Sequence, residues 1–399
     1  MVSLPGPAGN QPDRPNTAAA PATTHRFVAL DSLRGVCACI VVLYHLGGTI
    51  QLTELPLIRA GWLFVDFFFV LSGFVIAAAY RDRLARGFPV GRFMVLRLGR
   101  IYPLHVAVLL TMVAWESARL KLGGGWGHET FPADRVPSAV PVNLALLQIF
   151  GLYDRPTWNG PSWSIAAEVW TYLAAALCFQ KTGRAAVPVV GAAVIASGVA
   201  LALIGDAYLD RMASWSLLRC FYGFGLGVLG WRVFGRVSHR RWSLGLATVA
   251  ECGLLLAITF FVPLANADRP LSMLCPLLFV AAVLVFALER GMVSRLLMQR
   301  PFVLVGSLSY SIYMIHILAV PRALTLAHLL GPVLGVRVAS DLVVGALAGR
   351  WTLAALMLAI VIACAQATYL AIEQPCRAWS RRLAARWGVK SAEDTAPAL

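Results

Sequence analysis

The residue in this 399-residue sequence with the sharpest chemical potential is His45, buried in the apolar run LDSLRGVCACIVVLYHL. An ionisable group inside a membrane-length apolar run costs about 2.5–3.5 kcal/mol or more, so each one is a functional candidate. An imidazole titrates near neutrality and suits general-base work on a hydroxyl. Arg34 precedes His45 by eleven residues, about 16 Å along a helix. That spacing puts Arg34 at one membrane surface and His45 near mid-membrane. The plainer alternative, a histidine satisfied by a helix neighbour, stands level with the catalytic one on chemistry alone. His316, in GSLSYSIYMIH, is a second deep imidazole, expected to face His45 or an acceptor pocket.

Two acids sit in similar surroundings: Asp66 in VDFFFVLSGF and Glu168 in PSWSIAAEVW. Acids in apolar runs need partners, and either could orient a histidine or accept a proton. Asp66, four residues into its span, is expected close enough to the outer interface to be wetted. Ser72 and Gly73 favour close helix approach over nucleophilic chemistry. Arg97 and Arg100 stand at i and i+3, on one helix face. Two guanidiniums on one face can bind phosphate bidentately, although arginines that merely set topology are the commoner case. Glu116, Arg219 and Glu251 are further charges in or near spans, with no role assigned.

The absences narrow the chemistry. There is no P-loop, no H-E-x-x-H, no G-x-S-x-G and no G-x-G-x-x-G after a strand. No tightly bound metal or cofactor is expected. Of the eight cysteines, all but Cys376 lie in or beside apolar runs, so a disulfide framework is not expected.

The elements that must carry these residues follow from composition. Hydrophobic residues make up 59% and charged residues 13%, with a mean hydropathy of +0.73. A soluble domain runs about 45–50% apolar and about 25% charged. The expected fold class is therefore an all-α polytopic membrane protein, and the continuous apolar runs argue against a β-barrel. Ten stretches are long enough to span a bilayer: 33–50, 62–80, 101–118, 163–180, 185–204, 215–235, 243–262, 272–288, 302–321 and 351–371. The segment 329–347 is a candidate half-span. The net charge of +15 reads as topology rather than nucleic-acid binding, because basic residues flank the spans. Six Arg fall across 81–100, four across 232–241, three across 289–300 and five Lys/Arg after 372. This asymmetry predicts both termini in the cytoplasm. Residues 1–26 read as a disordered Pro- and Ala-rich cytoplasmic tail, 27–375 as the transmembrane domain and 376–399 as a basic cytoplasmic tail. Two outer loops are long, 119–162 and 322–350. In the first, the apolar stretch 142–152 is expected to dip toward the membrane. Its Trp126 and Trp158 are expected to be exposed, more as headgroup anchors than as sugar-stacking platforms.

Taken together, the motifs resemble the acyltransferase 3 family of integral membrane acyltransferases. The likeness runs in order through LDSLRGVCACIVVLYH, VDFFFVLSGF, RLGRIYP, PSWSIAAEVWTYL, GSLSYSIYMIH and IEQPCR. Each motif is weak alone, and their order makes the likeness specific. The resemblance implies transfer of an acyl group, commonly acetyl, from cytoplasmic acyl-CoA to a hydroxyl of a carbohydrate or glycosylated acceptor. It casts His45 as the first-span histidine, Arg34 as its paired arginine, and Arg97 and Arg100 as the donor-handling pair. Glu168 and His316 are the further catalytic candidates, with Asp66, Ser72, Trp163 and Tyr310 as substrate-binding candidates within the same motifs. The implied partners are acyl-CoA, the glycosylated acceptor and the lipid bilayer. The implied location is a bacterial cytoplasmic (inner) membrane, in the form without a fused extracytoplasmic domain. Direct attack assisted by His45 and relay through an acylated His45 both remain open. The competing reading is a proton-coupled sugar or lipid transporter using the two histidines as a relay, and the lack of an internal repeat counts against it. A third reading is a non-catalytic scaffold.

Overall fold

A computed structural model describes residues 26–50, 55–121, 130–330 and 347–387. The described residues form helices and contain no strand. Ten of the helical segments are long and apolar enough to cross a membrane. We number the helices that carry these spans α1 (Val28–Ile50), α2 (Phe64–Ala85), α3 (Val90–Lys121), α4 (Ser162–Thr182), α5 (Ala186–Leu203), α6 (Ser216–Val237), α7 (Leu244–Ala267), α8 (Cys275–Phe286, the eighth span running Arg269–Phe286), α9 (Arg300–Leu330) and α10 (Leu347–Thr368). The short helix Arg269–Ser272 leads into α8. A π-helical turn, Tyr369–Glu373, joins α10 to α11 (Gln374–Arg386).

Local sequence accounts for several boundaries. Ser243 caps α7 by accepting the Leu246 N–H at 3.2 Å. Gly183, at φ +51°, ends α4 in a conformation that favours glycine. Glu251 lies fully buried and accepts from the backbone N–H groups of Gly291, Val293 and Ser294, satisfying donors at the start of the helix Met292–Leu297. That is the role the sequence left blank for Glu251. Proline does not break α3 at Pro103 or α9 at Pro321. Because α9 runs on past 321, Arg322 stands on a helix rather than in the expected outer loop.

Two close helix crossings build the centre. In α1 and α9, Gly35 faces the backbone of Val305 and Gly306, and a Cβ added at Gly35 would stand 2.6 Å from Gly306 N. In α2 and α6, Gly73 packs on the Phe224 carbonyl and Gly227 on the Val70 carbonyl. Small residues allow backbones to approach where lipid offers no hydrophobic drive to pack, which bears out the packing role expected for Gly73. At the periphery the apolar side chains point outward: Leu203 is 79% exposed and Phe260 is 74% exposed. On a chain with ten apolar spans, these are lipid-facing surfaces.

The basic segment from 376 begins inside the fold. The α11 helix packs on α3, where Gly99 meets the Ser380 side chain. Residues 1–25, 388–399 and most of 329–347 lie outside the described residues, as does Trp126.

Candidate active site

Two chambers lie between the central helices, end to end. The first gathers guanidinium, carboxylate and hydroxyl groups near the start of α1. Its polar lining comes from Asp31 and Arg34 on α1, Ser72 on α2, Arg97 and Arg100 on α3, and Glu168 on α4. The i, i+3 spacing of the α3 arginines therefore puts both on one chamber wall. Arg34 is held from α9: its Nε donates to Ser309 Oγ at 2.8 Å, with Asp31 3.5 Å from its Nη2. Arg97 is buried, donates to the Tyr80 hydroxyl at 3.1 Å and lies over the Tyr80 ring. Arg100 has Arg34, Arg97 and Arg377 as charged neighbours, with Glu373 opposing them. Such a surplus of positive charge beside apolar walls suits a phosphorylated ligand.

Glu168 belongs to this first chamber. Its carboxylate accepts from the hydroxyls of Ser72 and Tyr172. Among the described residues it bonds no histidine, which corrects the expectation that it orients one. Ser72 and Tyr310 also line this chamber, and the Tyr310 hydroxyl donates to the Ile101 carbonyl.

The second chamber lies further along α1 and is lined by His45, Tyr44, Trp62, Trp158, Trp163 and Arg219, among others. His45 and His316 meet here, with ring centroids 4.8 Å apart and His316 Nε2 3.3 Å from His45 Nδ1. The hydrogen bonds assign the protons. His45 Nδ1 lies 2.9 Å from the Val41 carbonyl and His316 Nδ1 lies 2.7 Å from the Tyr313 carbonyl. A carbonyl only accepts, so each neutral ring carries its proton on Nδ1. His316 Nε2 is then a lone pair facing the Nδ1–H of His45, which is shared between it and Val41. The remaining nitrogen of His45, Nε2, keeps its own lone pair, with no bonding partner among the described residues. His45 is exposed to the second chamber. A ring fixed in this tautomer can take a proton from a hydroxyl presented there.

Two of the substrate-binding candidates separate. Trp163 lines the second chamber. Asp66 lines neither: it is wholly buried and accepts from Arg219 Nε at 3.0 Å and Nη2 at 2.7 Å. The expectation of a wetted carboxylate is corrected, because the interior cation supplies what water would have supplied. Arg219 also donates to the Trp62 carbonyl and lies between the Trp62 and Trp163 rings at 5.1 and 5.2 Å. Trp158 is likewise not exposed. It is 2% exposed, its indole donates to the Val136 carbonyl, and it faces the chamber rather than headgroups.

The sequence reading missed Tyr313, which with Val65 lines both chambers. Its hydroxyl bonds Ser164 Oγ at 2.8 Å, and its carbonyl holds His316. Its signal was its place as the second tyrosine of the GSLSYSIYMIH motif, three residues before His316. His105, also unremarked, is buried and donates to the Asn143 carbonyl, pinning the short helix Ala139–Leu144 of the long loop.

The family model for the acyltransferase 3 group, described as an acyltransferase domain, matches residues 27–370. The chain belongs to this family. It is thus a multi-pass membrane acyltransferase, and the transporter alternative is set aside. The acyltransferase MdmB of Streptomyces mycarofaciens is 26% identical over an alignment covering 94% of this chain and 98% of that protein. BcsY of Komagataeibacter xylinus, named as a membrane-bound transacylase, is 25% identical across 72% of this chain and 71% of its own length. Protein 2 of the picA locus of Rhizobium radiobacter is 34% identical, across 36% of this chain and 78% of its own length. No solved structure matches the chain. The family's span includes both chambers, and the five helix-borne motifs on α1, α2, α3, α4 and α9 that line them lie within it.

Proposed function

We propose that the protein transfers an acyl group, acetyl first among candidates, from cytoplasmic acyl-CoA to a hydroxyl of a carbohydrate or glycosylated acceptor. The observation that carries this reading is the fixed tautomer of His45, with Nε2 open to one chamber while Arg34, Arg97 and Arg100 line the other. The arginine chamber takes the donor, its phosphates meeting the guanidiniums. The acceptor hydroxyl enters the histidine chamber. His45 Nε2 removes its proton as the oxygen attacks the thioester carbonyl. The positive charge that forms on His45 is eased by the lone pair of His316 and by the Val41 carbonyl, both on its Nδ1–H. Collapse of the tetrahedral intermediate breaks the C–S bond, and the CoA thiolate leaves and takes up a proton. This assignment puts the start of α1 at the cytoplasmic face of the bacterial inner membrane, with both termini on that side.

The test uses membrane vesicles with intact protein or its His45→Ala variant, acyl-labelled acetyl-CoA, and glycan or glycolipid fractions from the source organism. Label entering alkali-labile ester only with the intact histidine is the expected result. Label that persists in the variant overturns the role of His45. Label trapped on His45 itself replaces direct attack with an acyl relay. Absence of CoA release with every donor tried overturns acyl-CoA as the donor class.

A further inference from the structure

Among the described residues, a cluster that reaches the rim of the histidine chamber holds more arginines than acids. Glu116 is wholly buried on α3. Arg135 donates to it at 2.6 Å and Arg119 at 3.0 Å. Arg322, on α9, completes the group: it lies over the Trp115 ring, with Glu116, Arg119 and Arg135 as its charged neighbours. Among the described residues, Glu116 is the carboxylate that Arg135 and Arg322 share, and Asp134 approaches Arg135 from the exposed side, at 3.8 Å. Buried N–H groups without acceptors remain at Arg322 Nε, Arg322 Nη2 and Arg135 Nε. A buried guanidinium donor left without an acceptor is costly. Helix and packing do not need this cost, since Glu116 with one arginine would close the pair.

The cluster reaches the chamber through Arg135. Arg135 and Asp134 line the same cavity as His45. The strand of loop that carries them is pinned to the chamber wall: Trp158 N–H donates to the Asp134 carbonyl at 2.6 Å and its indole to the Val136 carbonyl at 3.1 Å. The other arginine of this chamber, Arg219, is already neutralised by Asp66, so among the described residues the guanidinium donors left without acceptors lie on the Arg135 and Arg322 side.

We infer that this cluster is an anion subsite of the acceptor, and that the acceptor is a glycoside carrying a carboxylate or a phosphate beside the hydroxyl presented to His45. The anion supplies the acceptor atoms that the arginines lack, in a chamber that Trp158 and Trp163 also line. This rests on reading the histidine chamber as the acceptor site.

The test measures binding without any acyl donor. Protein in nanodiscs of zwitterionic lipid is titrated with hexyl β-D-glucoside, hexyl β-D-glucuronide and hexyl β-D-glucoside 6-phosphate, read by the fluorescence of the chamber tryptophans. Either anionic probe is expected to bind about 10-fold or more tightly than the neutral one, the strength of one good charge-assisted contact. Which of the two binds better separates carboxylate from phosphate recognition. Arg322→Gln and Arg135→Gln should each cut the preference to about 3-fold or less and leave neutral-probe affinity within about 2-fold, while Glu116→Gln should raise the preference. Absent binding or equal binding of the anionic probes to the intact protein overturns the inference, as does a preference that survives both arginine substitutions. Because no donor is present, failure of acyl transfer would leave a measured preference standing. Equal binding with transfer intact would remove the anion subsite alone.

Discussion

The two chambers use buried polarity in opposite ways. In the arginine chamber the charged groups face the cavity: Arg34, Arg97 and Arg100 line it, and Glu168 is tied down by neutral hydroxyls rather than by a cation. In the histidine chamber the ion bridge of Asp66 with Arg219 is sunk into the wall, and charge meets the cavity at its rim, through Arg135. What that chamber offers a ligand at its centre is an imidazole of fixed tautomer among aromatic rings. The difference teaches how to read a buried charge in a membrane protein. A charge whose partner is another charge holds helices together, whereas a charge left facing a cavity is available to a ligand.

The largest effect that would break this contrast lies at His45. His45→Gln keeps a polar side chain of similar reach but removes the titrating nitrogen. Transfer should fall by about 10²–10⁴-fold, the usual worth of a positioned base, with acyl-CoA binding unchanged. The two readouts are acyl transfer and donor affinity in the same vesicles. A matching loss of donor affinity would mean that the chambers are not functionally separate.

Next comes the wall. Asp66→Ala leaves Arg219 buried with no carboxylate, a loss of about 3–5 kcal/mol. Replacing both residues together, Asp66→Ala with Arg219→Met, should restore much of that, because no charge is then stranded. Thermal denaturation of the purified variants checks it. If the single variant is as stable as the parent, Asp66 is not a structural partner, and its return to the substrate-binding group follows.

The arginine chamber should respond in donor affinity alone. Arg97→Ala with Arg100→Ala removes contacts of the kind worth about 1.5–3 kcal/mol each when charged, so the donor KM should rise about 10–100-fold while kcat and the acceptor KM hold. Steady-state kinetics with varied acyl-CoA decides it. An unchanged donor KM would return both arginines to topology setting.

This contrast was half legible in the sequence. Helix number and the approximate span limits follow from hydropathy alone, because lipid admits few other solutions. Arg97 and Arg100 were legible because a helix repeats every 3.6 residues, and i, i+3 fixes a shared face. Asp66 was misread because its partner, Arg219, is 153 positions away, and no local pattern reveals a pairing between α2 and α6. Which chamber Glu168 faces was not legible for the same reason: its distance along α4 says nothing about where that turn of helix points. The meeting of His45 with His316, one of the two placements expected for His316 from the sequence, depends on the α1–α9 crossing at Gly35 and Gly306. Those glycines stand in plain view in the sequence, but only the packed helices show that they face one another.

The smallest effect concerns the partition. Val65 and Tyr313 are the residues that line both chambers, so under the proposed mechanism an acyl group carried from the arginines toward His45 would pass between them. Tyr313 is unsuited to a clean test, because its carbonyl orients His316 and its hydroxyl bonds Ser164. Val65 contributes only bulk. Val65→Ala should therefore widen the passage without touching a polar contact. The ratio of kcat/KM for butyryl-CoA to that for acetyl-CoA should rise about 10-fold, near the lower end of what one methylene is worth in an apolar pocket. Acetyl transfer itself should change little. A fall in activity with both donors, at equal stability, would instead mean that Val65 presses the acyl group into line for attack. The partition would then be part of the reacting geometry rather than a sieve.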